Sequence, residues 1–301
     1  MKFKNIILHK NKYIHHATLK NIHDNQNAKR VSFASIVPSN AKKILFTNMP
    51  FPSKRSRVFS APKDETTWVQ LGATLNDDIR GWLEGTTFIV SAGKDTIIMA
   101  NKDCSYMFQN CNITSIKFYN FDTNNVINMQ GMFAGCKLLT SLKLNHFNTS
   151  HVIDMAGMFS ECSNLTNLEL KNFDTSRVVN MQSMFDCCRS IAHLDLSNFN
   201  TNKVINMMRM FSGCRNLSIL NMNNFNTDNV IYMSGMFYCC QGLIKLNLST
   251  FNTYNVINMD NMFYDCHLLS EIDVSTNWSI ENADINNMFK NCGTNRITTV
   301  I

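Results

Sequence analysis

The chain has 301 residues, of which 45% are apolar and 17% charged, with a net charge of +6 and eleven cysteines. That length supports a large core, and no apolar run approaches the roughly 20 residues of a membrane-spanning helix. A Gly-rich phosphate loop, a nucleophile elbow and a paired-carboxylate motif are all missing from it, which argues against an enzyme and leaves no catalytic, metal or cofactor residue to nominate.

Residues 1–63 hold thirteen Lys or Arg and one acid, Asp24, a net of +12 against +6 for the whole chain, so residues 64–301 carry −6. All four prolines, the last being Pro62, lie in this first stretch. The contrast places a boundary near Pro62 and predicts a basic, poorly ordered N-terminal arm over 1–63. Ile6, Ile7 and Leu8 form too short an apolar stretch for a secretory leader. Lys54, Arg55 and Arg57 beside Phe51 could meet nucleic acid or another anionic polymer, though such runs are more often solvated tails. His15, His16 and His23 show no catalytic pattern.

Residues 64–100 read as a capping region. Asn76 can cap a short helix holding Ile79, Trp82 and Leu83. Phe88–Val90 and Ile97–Met99 read as two strands of a hairpin that turns through Ser91–Asp95.

From residue 101 to 301 one unit repeats. Met-Phe pairs begin at Met107, Met132, Met158, Met184, Met210, Met236, Met262 and Met288, first 25 and then 26 residues apart, and each Phe is followed three residues later by Cys. A period of this size marks stacked repeats. In the unit 139–162, Leu139, Leu142 and Leu144 end in alternation, which predicts a short strand with one buried face. Met155, Met158, Phe159 and Cys162 then fall at i, i+3, i+4 and i+7, one face of a helix. The residue before the first Met is Asn128, Asp154, Asn180, Asn206, Tyr232 or Asn258, and five of these six are good N-caps. The expected architecture is therefore an α/β solenoid of about eight strand–turn–short-helix repeats. Phe121, Phe147, Phe173, Phe199, Phe225 and Phe251 should form an aromatic spine. Thr123, Thr149, Thr175, Thr201, Thr227 and Thr253 should form a hydroxyl ladder at the turn.

The L-x-x-L-x-L segment resembles a leucine-rich repeat, and its continuation F-[DN]-T-x-x-V-x-x-M-x-x-M-F-x-x-C resembles the BspA-like leucine-rich-repeat surface proteins over residues 101–301. Where ordinary leucine-rich repeats place an Asn ladder after the strand, this chain has Phe147 and its equivalents. The resemblance implies a strand-lined concave face and adhesion, at the cell surface or after secretion, to a host matrix or cell-surface protein.

The eight repeat-phase cysteines, Cys111 to Cys292, read as small buried hydrophobes. The Met columns read as flexible core filler. The vicinal pairs Cys187-Cys188 and Cys239-Cys240 lack partner histidines at zinc-ligand spacing, His193 and His267 included. Recognition is expected at the outward strand positions, which change chemistry from repeat to repeat. Among them are Lys143, Glu169, His193, Asp195, Asn221, Lys245, Asn247, Glu271 and Asp273. Two functions follow. One is a non-enzymatic scaffold binding a protein ligand on that face, with nucleic acid an unlikely partner. The alternative is an intracellular protein docking to nucleic acid or another anionic polymer through the basic arm.

Overall fold

A computed structural model of the chain describes residues 15–18, 33–50, 69–70, 79–94 and 96–300. Each repeat opens with a strand of three or four residues: Ser115–Phe118, Ser141–Lys143, Asn167–Glu169, His193–Asp195, Ile219–Asn221, Lys245–Leu248 and Glu271–Val274. Paired strands are parallel and one repeat apart, as in Leu168↔Leu142, Leu194↔Leu220 and Leu246↔Ile272. They do not join into one sheet. Strands 141–143 and 167–169 form one pair and 193–195 and 219–221 another, and 245–248 and 271–274 are joined by Thr298–Thr299.

The expected helix does not form. Among the described residues there is no α-helix, and the single helical element is the 3₁₀ turn Phe33–Ile36. An α-helix needs each N–H to return to the carbonyl four residues back. Over residues 129–136 alternate N–H groups instead leave the segment. Met129, Gly131, Phe133 and Gly135 donate to the carbonyls of Asp154, Ala156, Met158 and Ser160 in the next repeat, at 2.7–2.9 Å. Met132, Ala134 and Cys136 donate back three residues, to Met129, Gly131 and Phe133. Gly131 (φ 57°) and Gly135 (φ 72°) take the left-handed backbone region, so the hand of the chain reverses every four residues. Later repeats use the same two positions, with Ser183 and Cys187 or Asn261 and Asp265 left-handed. The result is a stack of strands and turns, and the α/β solenoid with helices is overturned.

Burial nonetheless follows the sequence pattern. Met155, Met158, Phe159 and Cys162 are fully buried, as are their equivalents through Cys266. The Met-Phe rings stack nearly parallel, 5.8 Å apart for Phe133 and Phe159 and 5.7 Å for Phe185 and Phe211. The spine Phe121–Phe251 is buried beside them. The Asn and Asp expected as helix caps act as turn caps instead: the side chains of Asn128, Asp154, Asn180, Asn206 and Asn258 accept the N–H two residues on. Their backbones form a continuous parallel ladder from Asp103 to Asp284. The Thr hydroxyl ladder is present, each buried Thr donating to a backbone carbonyl of the next repeat.

The N-terminal region differs from expectation in three places. Ile79 is buried just before a strand, Arg80–Glu84, which takes Trp82 and Leu83 where a helix was expected. That strand pairs antiparallel with Thr87–Ser91, so the hairpin turns at Gly85-Thr86, where Gly85 has φ 57°, and not through Ser91–Asp95. Thr96–Met99 lies in a separate sheet, parallel to His15–Thr18 and to Phe121–Asp122. Within the stretch expected to be a poorly ordered arm, Lys43–Thr47 is a strand between Thr87–Ser91 and Ser115–Phe118. Phe33, Ile44 and Phe46 are buried there, and the Phe46 ring lies 5.2 Å from Phe118. Phe51, Lys54, Arg55, Arg57 and the boundary at Pro62 lie outside the described residues.

Candidate binding face

Alternation sends every second strand side chain away from the core. Leu142, Leu194 and Leu246 are buried and Leu168 and Leu220 partly so. Between and beside them Lys143, Glu169, His193, Asp195, Lys245 and Asn247 are exposed, while Asn221, Glu271 and Asp273 are half-buried. Register brings Lys143 beside Glu169, Asp195 beside Asn221, and Asn247 beside Asp273. The breaks between strand pairs separate Glu169 from Asp195 and Asn221 from Asn247.

The face is chemically mixed. Lys245 pairs with Glu271 across the strands, and this contact raises the lysine pKa. Ser197 hydrogen-bonds the Asp195 carboxylate and holds it below its usual range. Asn221 and Asn247 accept the N–H of Asn223 and Ser249 in the same way. Ile219, 56% exposed, places an apolar side chain between His193 and Lys245 in the outer column. Among the described residues no group of three His, Cys, Asp or Glu is placed to hold a metal ion, and no helix is long and apolar enough to cross a membrane.

Two surface features escaped the sequence reading. Arg209 and Lys290 lie over the outer rings of a Tyr238–Tyr264 stack whose centroids are 4.9 Å apart. Ile127, Ile153, Ile205 and Ile257 are the exposed members of an aliphatic row in which each residue's N–H donates to its counterpart in the preceding repeat, with half-buried Val179 and Ile231 completing the chain of hydrogen bonds. The signal for the row was legible, since the residue after the buried Val is Ile or Val in every repeat from 127 to 257.

The cysteines belong to the core. Eight of the eleven are buried, Cys187, Cys239 and Cys292 are half-buried, and none is bridged. Thiols of Cys136, Cys162, Cys188, Cys214, Cys240 and Cys266 donate to the Phe carbonyl at the repeat position of the preceding unit, at 3.0–3.1 Å. Burial pushes Cys162 and Cys266 up from 9.0 to about 12 and Cys188 and Cys240 well above 9.0. A thiol raised on folding stays protonated where the unfolded chain would ionise. Its contribution to stability is complete below pH 9.0 and is lost as pH rises toward 12. Chemical denaturation should therefore show falling stability across that alkaline window. Alkylation of the native protein at neutral pH should reach Cys187, Cys239 and Cys292 first, and the other eight only on unfolding. Equal labelling of all eleven in the native state would contradict the buried column.

A family profile described as Mycoplasma protein of unknown function, DUF285, matches residues 102–219 and again residues 188–299. The two matches overlap and together cover the repeat stack. No curated protein and no solved structure matches the chain.

Proposed function

The chain belongs to the DUF285 family of Mycoplasma proteins of unknown function, and we propose that it is a non-enzymatic repeat scaffold that binds a protein ligand across its strand face. One observation carries this. The inward strand positions hold Leu, Ile, Val or Met in repeat after repeat, whereas the outward positions run Lys143, Glu169, Asp195, Asn221, Asn247, Asp273. The core does not fix which residue stands there, although Asp195, Asn221 and Asn247 also cap the turn that follows, so the variety of the column, greatest at Lys143 and Glu169, is available for recognition. A place at the cell surface and adhesion to host matrix proteins rest on the likeness of the repeat to BspA-like surface proteins. Docking to an anionic polymer through the basic arm is the weaker reading, because Lys43, counted with that arm, starts a strand of the cap.

The test is a double charge reversal, Glu169→Lys with Asp195→Lys, assayed for binding to a panel of purified host extracellular-matrix proteins. Both residues are exposed, and the reversal removes the hydrogen bonds that Ser197 and Asn221 give the Asp195 carboxylate, so stability should change by about 1–2 kcal/mol at most. Binding should weaken on the order of tenfold or more. Replacing Lys54, Arg55 and Arg57 with Gln should leave it unchanged. The reverse outcome, with loss confined to the arm variant and a steep salt dependence, would reject the strand face.

A further inference from the structure

The aromatic spine runs Phe121, Phe147, Phe173, Phe199, Phe225, Phe251 at a constant 26 residues, and then breaks its own rule. The next ring is Trp278, 27 residues after Phe251, with one residue inserted. Trp278 packs partly buried against the core. Its indole Nε1 is buried and has no hydrogen-bond partner. The other described indole, Trp82, donates to Glu84 at 2.9 Å. Beside Trp278 the corner opens into a recess of about 330 Å³, walled also by Tyr254, Asp228, Asn255, Thr276 and Asn277.

We infer that this recess is a binding site for a neutral pyranose sugar. Its walls select the ligand by elimination and by fit. No Lys or Arg lines it, so an anion would find no counter-charge. Asp228 is the one acidic residue in the wall, and its two oxygens already accept the amides of Asn252 and Asn226, at 2.8 and 3.0 Å. A hard cation needs six or more oxygen ligands. A purely apolar ligand would strand the amides and hydroxyls of the wall without partners. A pyranose matches both halves of the surface. Its hydroxyls donate and accept, as Thr276 and Asn277 can, while the Asn255 amide already donates to the Asp228 carbonyl at 2.8 Å. Its C–H face suits an aromatic ring, and Tyr254 is 67% exposed. The volume lies at the lower end of small-molecule pockets, about 300–1,000 Å³.

Glu169 and Asp195, the strand-face residues chosen for charge reversal, do not line the recess, so the two sites can be tested separately. The full chain, ¹⁵N-labelled at Trp and Tyr so that the Trp278 indole and the Tyr254 amide both report, is titrated with the methyl glycosides of glucose, galactose, mannose and N-acetylglucosamine, with glycerol as control. At least one glycoside should move the Trp278 Nε1–H resonance saturably, with Kd on the order of 1 mM, while that of Trp82 stays in place. Tyr254→Ala should weaken this response at least tenfold. Trp278→Phe, which restores the ring of the other repeats, should keep the thermal stability and remove the saturable change at Tyr254. The Glu169/Asp195 double variant should respond as wild type. Silence from all four glycosides, an equal response to glycerol, or indifference to Tyr254→Ala would each overturn the assignment.

Discussion

Phe185→Ala should cost about 3–5 kcal/mol of stability, and Phe289→Ala less than about 2 kcal/mol. Phe185 is fully buried, with Phe159 and Phe211 stacked on either face, each 5.7 Å away. Removing its ring opens a cavity that neither neighbour can fill, because both are held by their own repeats. Phe289 is only half-buried and has one stacked neighbour, Phe263, at 5.4 Å. Urea denaturation of the two variants gives the comparison directly. Equal losses would mean that the rings do not act as a column.

Thr201→Val should cost about 2–4 kcal/mol, although it is nearly isosteric. The Thr201 hydroxyl is fully buried. It donates to the Asn226 carbonyl at 2.7 Å and accepts the Asn226 N–H at 2.8 Å. Valine fills the space but orphans both backbone groups, and each unpaired polar group carries its desolvation penalty. Thr201→Ser keeps the hydroxyl and should cost less than about 1.5 kcal/mol. If Val proves as benign as Ser in denaturation, the ladder contributes packing and not hydrogen bonding.

Much of this was legible before the structure, and the misses share a cause. Met155, Met158, Phe159 and Cys162 were correctly placed in the core because burial depends on which way a side chain faces. The same positions suit a helix and a left-handed-interrupted turn equally well, so periodicity could not choose the backbone path. The distinguishing residues were present: Gly131, Gly157 and Gly235 at the third place of the motif, Gly135 and Gly213 at the seventh. A valine at 135 would meet Asn110 Oδ1 at 2.0 Å through its Cβ alone, in a backbone region that L-residues avoid. The outward orientation of Lys143, Asp195 and Asn247 followed from alternation. The gap in strand pairing between Glu169 and Asp195 did not, since it lies in backbone hydrogen bonds that no side chain announces. Lys43–Thr47 was hidden by its surroundings: prolines and lysines dominated the composition, while Ile44 and Phe46 fill the cap.

The bonds that leave each turn for the next repeat set how the protein should fold as well as what it looks like. Their partners lie about 25 residues away in sequence, throughout the stack. Relative to 301 residues that separation is about 0.08, in the range of fast-folding helical bundles and not of β-sandwiches. A chain whose hydrogen bonds are β-like should thus show near-local folding kinetics, nucleating within two or three adjacent repeats and zipping outward. Amide exchange should be slowest in the central repeats around Phe185 and should quicken toward the last, where a turn such as 285–291 has a neighbour on one side only.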